Sequence, residues 1–442
     1  MTQFETETHS EDPRRIDLLR IADAALGAIE PGAAILRAVT RDGPTLRIGS
    51  RALDLSAFDR AIVLGFGKAA VPMGRATVEL LDGVASTGVL VTNAPEPVAA
   101  LDVVEGGHPV PDGGSLAGGR RVLEIARTAG PRDLAVVLIS GGGSALLAAP
   151  AAGLSLQDLH DTRALLLRSG ADLDELHTVR KHLSAVKGGR LTEALGDAGA
   201  VVTLILPDVI GNPLDVIASG PTVPDPTTFG DALAVLDRYD LRDRVAGDVR
   251  AHLEAGAVGG LEDTPQGGSV FDRQVIELVA DAGVAARAAF EAATTGGWMA
   301  RVLTTELAGE ARDVGKELAA AATALGLGEM VILAGETTVT VTGDGRGGRN
   351  QELALAASIA LSGRGDIVVL SLGTDGIDGM SEAAGAFADG NAVATGADRG
   401  LDAADALSRN DSGTFLEAIG DAVICGPTGT NVGDLILVCR TG

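Results

Sequence analysis

Apolar residues along this chain fall into two alternating kinds of stretch: short unbroken runs, and longer stretches where they recur every three or four positions. The runs at 62–64, 88–91, 101–104, 134–139 and 200–206 predict strands. The stretches at 69–81, 115–128, 156–168 and 173–195 predict helices around and between them. The run Leu134-Ala135-Val136-Val137-Leu138-Ile139 shows no period-two alternation, as expected of a strand covered on both faces. Before this series come a helix over 16–29, stopped by Pro31-Gly32, and a short strand pair around 46–55. After it, 232–237 and 246–253 read as helices. Strands then follow at 275–279, 300–303, 330–333, 367–372 and 435–438, with helices at 282–293, 310–324 and 351–361 and a hairpin-like 337–341. Strands alternating with helices predict the α/β class, with largely parallel, helix-covered sheets.

A chain of 442 residues exceeds one ordinary core, so the pattern is divided between two α/β domains. The division is expected at a 256–269 linker, where Gly259-Gly260, Pro265 and Gly267-Gly268 cluster. That gives an N-terminal domain over 15–255 and a C-terminal domain over 270–442, after an acidic tail over 1–14 expected to be disordered.

Charge narrows the partners. The net charge is −25, and of 35 basic residues only four are lysines: Lys68, Lys181, Lys187 and Lys316. Nucleic acid and anionic membranes are poor partners for such a surface. An acidic surface that keeps arginine and sheds lysine fits a halophilic host, where salt screens self-repulsion. Two cysteines, Cys425 and Cys439, read as buried thiols in a reducing compartment. With no long apolar run and no leader-like start, the protein is expected in the cytoplasm.

Six segments carry chemistry. In Gly65-Phe66-Gly67-Lys68-Ala69-Ala70 a strand ends in glycines and a rare lysine before a helix, a place for a phosphate or a carboxylate. Its spacing also fits a loose dinucleotide fingerprint, but the acid wanted at the end of the second strand is absent, for that strand runs into Thr92-Asn93. Ser140-Gly141-Gly142-Gly143-Ser144, after the most apolar strand, is a phosphate-loop candidate of non-Walker type. His177, Arg180, Lys181, His182, Lys187 and Arg190 concentrate positive charge; a solvated basic face and an anion-facing cluster both account for it. Asp208 follows the strand at 200–206, where α/β sheets place ligand and metal contacts, or it caps the next turn. Arg346 and Arg349 among glycines, Gly347 and Gly348 included, suit a clamp on a phosphoryl group. Asp375 stands just past the strand at 367–372.

In order along the chain, Gly65–Ala70, Gly106-Gly107-His108-Pro109-Val110-Pro111-Asp112, 140–147, 216–222, 335–338, 347–352, 373–379 and Gly426-Pro427-Thr428-Gly429-Thr430-Asn431 resemble the glycerate 2-kinase family that ends in a MOFRL domain. The resemblance covers nearly the whole chain, with the MOFRL-like region at roughly 328–438. It implies ATP-dependent phosphorylation of glycerate to 2-phosphoglycerate, with Mg²⁺ or another divalent cation, in a cleft between the domains of a monomer or homodimer. Lys68 matches the family's essential lysine and Arg349 the arginine of its glycine-arginine motif. Asp208 matches an aspartate that follows a serine in the family; here Pro207 replaces that serine, and Asn212 an acidic residue four positions beyond the aspartate. On this expectation the 140–144 loop with Gly347 and Gly348 binds the nucleotide, and Asp208 or Asp375 holds the metal or accepts the substrate proton. The competing expectations are an NAD(P)H-dependent hydroxypyruvate reductase and a non-catalytic sensor of small phosphorylated acids.

Overall fold

The computed structural model describes residues 4, 12–207 and 213–441, so most of the expected tail and the Asp208 loop lie outside the described residues. The chain forms two compact units. One comprises Ala34–Pro207 with the described part of Asn212–Val279; the other comprises the described part of Met1–Ala33 with Ala280–Gly442.

The first unit opens with a meander of β1 (Val39–Asp42), β2 (Thr45–Ile48) and β3 (Arg51–Asp54), paired antiparallel. Its main sheet contains β4 (Arg60–Phe66), β5 (Ala85–Thr92), β6 (Asp102–Glu105), β7 (Asp133–Ser140), β8 (Ala200–Leu206) and β9 (Gln274–Leu278). They lie in the order β6-β5-β4-β7-β8-β9, and every pair is parallel. Each residue of β7 and β8 is buried, the packing that their unbroken apolar sequences predict. Helices Ala70–Leu80 and Gly113–Ala126 provide the crossovers. The second of these is held at its start by a capping box in which the Asp112 carboxylate accepts from Ser115 N–H.

The expected helix over 173–195 is broken into Leu173–His182 and Arg190–Ala194. Gly188 and Gly189 between them adopt φ of +56° and +80°, a left-handed conformation that ends a helix and suits glycine. Gly188 also lets the chain pass close to Asp225, whose carboxylate oxygen would lie 3.0 Å from an added Cβ.

The second unit has the sheet β10 (Met299–Leu307), β11 (Glu329–Gly335), β12 (Ile367–Gly373), β13 (Gly385–Asp389), β14 (Ala422–Val423) and β15 (Asp434–Arg440). The order is β10-β11-β15-β12-β13-β14. Only β10 and β11 run parallel; the last strand inserts antiparallel between β11 and β12. The α/β class therefore holds for both units, while the parallel arrangement belongs mainly to the first. The expected hairpin over 337–341 contributes only a single bridge, between Glu310 and Thr338.

The division between units differs from the expected 256–269 linker. β9 lies beyond that stretch and pairs in parallel with β8, so the first unit continues to Val279. The N-terminal helix Pro13–Ala28 belongs to the second unit, not to a 15–255 domain. Arg15 explains its attachment. Its guanidinium donates to Asp389 at 2.8 Å and Asp421 at 2.6 Å and lies 4.9 Å from the centre of the Phe387 ring. A buried arginine with two carboxylates and an aromatic face fixes the helix on the β13 side of the sheet.

Candidate active site

In the first sheet the strand order reverses between β4 and β7. At such a switch point the loops leaving adjacent strands diverge to opposite faces and open a crevice at the carboxyl ends. The loop after β4 carries Lys68 and the loop after β7 carries Ser140-Gly141-Gly142-Gly143-Ser144, so the two most suggestive stretches of the sequence are neighbours. They are bonded directly. Lys68 N–H donates to the Gly141 carbonyl at 2.9 Å, and Ala69 N–H donates to Ser140 Oγ at 3.0 Å.

That contact also explains the glycines of the dinucleotide-like spacing. A Cβ on Gly67, at φ +130°, would lie 2.1 Å from Ser140 Oγ, and one on Gly65 would lie 2.5 Å from a Leu90 methyl. Both glycines are needed for chains to approach one another. At the end of β5 stands Thr92, fully buried, with no acid for a ribose. Glu96 instead pairs with Arg75 on the surface.

Lys68 is exposed, and its ammonium has no hydrogen bond or ion pair among the described residues. Gly142, at φ +79°, passes beneath it: an added Cβ would lie 3.4 Å from Lys68 Cγ and 2.8 Å from the His108 ring. The two serines of the loop are committed internally. Ser140 Oγ accepts from Ala69 N–H, and Ser144 Oγ lies 2.9 Å from Ser219 Oγ. What the loop offers a ligand is therefore mainly backbone. The N–H groups of Gly143 and Ser144 donate to no described residue.

Behind the loop lies the basic cluster, and it is not a solvated face: His177, Lys181, His182 and Lys187 are all buried. Lys187 Nζ donates to the Ser144 carbonyl at 3.0 Å and to the Ala218 carbonyl at 3.4 Å; Arg180 donates to the same Ser144 carbonyl at 3.2 Å. Neither has a carboxylate partner among the described residues, whereas Lys181 is paired with Asp225 and Asp215. Burial, and then the nearby Arg180 charge, push the Lys187 ammonium well below its ordinary range. Burial and Arg163 bring Arg180 down to about 10. Burial, followed by Arg180, Lys187 and Lys181, lowers His177 to about 3, so its ring is neutral at physiological pH. His177 Nδ1 lies 2.9 Å from Ser219 Oγ, completing a chain His177–Ser219–Ser144 that ends on the glycine loop. Ala218 and Ser219 reach this position with φ of +52° and +64°, backbone strain that the surrounding bonds must hold.

The second unit holds the other candidates. Gly348 lets the Asp378 loop approach the start of helix Arg349–Ala360, where Asp378 accepts from Asn350 N–H at 3.0 Å and Gln351 N–H at 2.8 Å. A Cβ on Gly347 would lie 2.6 Å from Ser412 Oγ. Both glycines therefore serve packing. Arg349 is not an open clamp: its Nε donates to Asp434 at 2.8 and 2.9 Å, and its Nη1 pairs with Glu336 at 2.8 Å. Burial raises the Asp434 carboxyl to about 6, against the opposing pull of Arg349 and Asn350. Arg346 is likewise engaged, by Glu417. Asp375 is half-buried; its carboxylate accepts only from Ile377 N–H, at 3.2 Å, and has no basic partner among the described residues. Glu336, Asp378, Asp434 and Ser219 carried no role in the sequence reading. Each is an ordinary polar residue near a glycine, and only tertiary contacts single it out.

Comparison with known proteins gives the family. Residues 17–254 match the domain of unknown function DUF4147, and residues 329–434 match the MOFRL family. The chain is 37% identical to a glycerate 2-kinase of Pyrococcus horikoshii, over 96% of each chain. It is 38% identical to an Agrobacterium vitis protein provisionally named a hydroxypyruvate reductase, over 95% of this chain and 92% of that one. The crystal structure of a glycerate kinase from Thermotoga maritima superposes with a TM-score of 0.87 at 37% identity, covering 97% of this chain and all of that one. With both domains matched in order and relatives alike over nearly their full length, the chain belongs to the glycerate 2-kinase family, in which a DUF4147 domain precedes a MOFRL domain.

Proposed function

We propose that this protein transfers the γ-phosphoryl group of ATP to a hydroxyl of glycerate, forming 2-phosphoglycerate. One observation carries the reading. At the switch point of a parallel sheet, an exposed lysine whose ammonium is unpaired among the described residues and a glycine loop with available N–H groups are hydrogen-bonded side by side. Phosphoryl transfer requires positioning and charge neutralisation more than covalent chemistry, and this pair supplies both.

In this reading the backbone of the 140–144 loop holds the nucleotide phosphates, and Lys68 neutralises charge on the transferring group. The His177–Ser219–Ser144 chain and the two cations on the Ser144 carbonyl keep the loop in one shape. Arg349, oriented by buried Asp434, binds the carboxylate of glycerate once the more exposed Glu336 swings aside. Mg²⁺ takes one or two carboxylates together with substrate phosphates, so a lone carboxylate with no basic partner suits it. Asp375 fits that description and would hold the ion, with Asp208 as the second candidate; the ion would offset phosphate charge.

The test is identification of the product. Glycerate and ATP incubated with the protein should give 2-phosphoglycerate by ³¹P and ¹³C NMR, with ADP formed in equal amount. Oxidation of NADH by hydroxypyruvate, with no product from ATP, would overturn the assignment in favour of the reductase. Silence in both assays, with thermal stabilisation by phosphorylated acids, would favour the sensor.

A further inference from the structure

A cavity of about 260 Å³ opens beside the glycine loop, within the first unit. Helix Leu156–Arg168 and helix Leu173–His182 form much of its wall, and Val110 and Pro111, just past His108, line it too. Its character is divided. Leu159, Leu167 and Leu183 make an aliphatic wall, while Ser144, Arg180 and Lys187 line it from the loop side. Arg163 adds a third cation, and no carboxylate lines the cavity among the described residues. In a chain of net charge −25, a lining with three cations favours an anionic ligand.

Two polar groups in the lining lack partners. Thr162 is only 2% exposed and its Oγ1 has no hydrogen bond among the described residues; the same holds for the buried Nε2 of His160. A buried hydroxyl without a partner costs free energy, and a ligand that bonds it recovers that cost. An aliphatic wall, two idle polar atoms and cations at one end describe a site for a flat, mostly apolar body that carries an anionic chain.

Resting on the phosphoryl-transfer reading, we propose that this cavity receives the base and part of the ribose of the nucleotide, whose phosphates then run past Ser144 onto the glycine loop. Glycerate does not suit the cavity. It has no apolar surface to place against the leucines and would leave that wall uncovered. A purine has apolar faces for the leucine wall and ring nitrogens that accept from Thr162 and His160. The volume, just under the usual span of ligand pockets, matches one base and a sugar edge more closely than a whole nucleotide.

The test fills the cavity. Ala164→Phe places a ring in the lining, and Thr162→Val removes one hydroxyl at nearly constant shape. Ala164→Phe should raise KM for ATP by about tenfold or more and abolish competitive inhibition by adenosine, while KM for glycerate and inhibition by inorganic tripolyphosphate stay at wild-type values. Thr162→Val should raise KM for ATP by roughly threefold in the same selective way, and it decides the matter if Ala164→Phe does not fold. An unchanged KM for ATP with intact adenosine competition in a folded variant would overturn the inference. Adenosine binding is also read directly by calorimetry on the full-length protein: saturable binding lost in the variants supports the cavity, and no adenosine binding by the wild type overturns it. A wild type that binds adenosine through this cavity yet forms no product from glycerate would instead defeat the kinase reading and leave the cavity assignment standing.

Discussion

Two of this molecule's glycine-rich loops, each with cations on or against it, are opposite in state. At the switch point of the parallel sheet, among the described residues, Lys68 is unpaired, and Arg180 and Lys187 meet carbonyls rather than carboxylates. In the MOFRL unit, Arg349 is already held by Asp434 and Glu336, and Arg346 by Glu417. The sequence signature, glycines beside a basic residue, is the same. Among the described residues the first loop keeps its positive charge uncompensated and so favours an anion directly; in the second, an anion must first displace Glu336 from Arg349. A basic residue in a flexible loop thus reports an anion site only when its carboxylates are accounted for.

The largest effect should come from the open loop. Lys68→Ala removes an exposed group without partners among the described residues, so turnover should fall by about 10²–10³-fold while the melting temperature stays unchanged. Steady-state kinetics beside a circular-dichroism melt separates the two; turnover near the wild-type value would remove Lys68 from the chemistry. The closed loop should behave in reverse. Asp434→Ala strips a carboxylate that is 1% exposed from both Arg349 and Asn350, and should cost roughly 3 kcal/mol in urea unfolding.

Acid should distinguish the regions as well. The folded-state value of His177, about 3, lies below the ordinary 6.5. Between those values the unfolded chain binds the extra proton, so stability is full above pH 6.5 and falls as pH drops toward 3. At pH 4.5 this one group should cost about 2–3 kcal/mol, and His177→Asn should show a shallower acid limb in urea midpoints compared at pH 7.5 and 4.5. Equal slopes would mean that the ring is not kept neutral by its surroundings. Lys187→Met should then move stability by only about 1 kcal/mol, toward greater stability, because it removes a buried cation and keeps the volume. The same variant should lose phosphoryl transfer, since the 140–144 loop loses its brace. A strongly destabilised Lys187→Met would place that ammonium among the structural cations, with Arg15.

Much of this was legible in the sequence, and the parts that were not share a cause. Unbroken apolar runs located β7 and β8 because burial on both faces leaves no room for polar residues. The glycine loop and Lys68 were visible because lysine is rare here and the loop follows the most apolar strand. Strand direction was not visible: β15 has the composition of a parallel strand but inserts antiparallel between β11 and β12. Nor was sheet membership, since β9 is half-buried throughout and its pattern does not say which sheet it extends. Arg15 ties the first helix to the last unit by partners 374 and 406 residues away, which no local period records. The dinucleotide-like spacing has a related origin: Gly65 and Gly67 are required by Leu90 and Ser140, distant residues that only folding brings near.

The finest comparison is within the Arg349 cluster, where two carboxylates share one guanidinium. Asp434 is 1% exposed at its side chain and Glu336 is 37% exposed. The first is a fixed support; the second is a rim charge that water already solvates, and such pairs contribute at most about 1 kcal/mol. Glu336→Gln should therefore leave the urea midpoint nearly unchanged. It should nevertheless lower KM for glycerate by about two- to threefold, because the substrate carboxylate no longer competes with a resident one for Nη1. At high ionic strength the gain should shrink, since salt screens the exposed Glu336 charge in the wild type but leaves buried Asp434 unaffected. A KM for glycerate that does not move, or that moves equally at all salt concentrations, would mean that Arg349 meets no substrate carboxylate and that the second glycine loop is structural throughout.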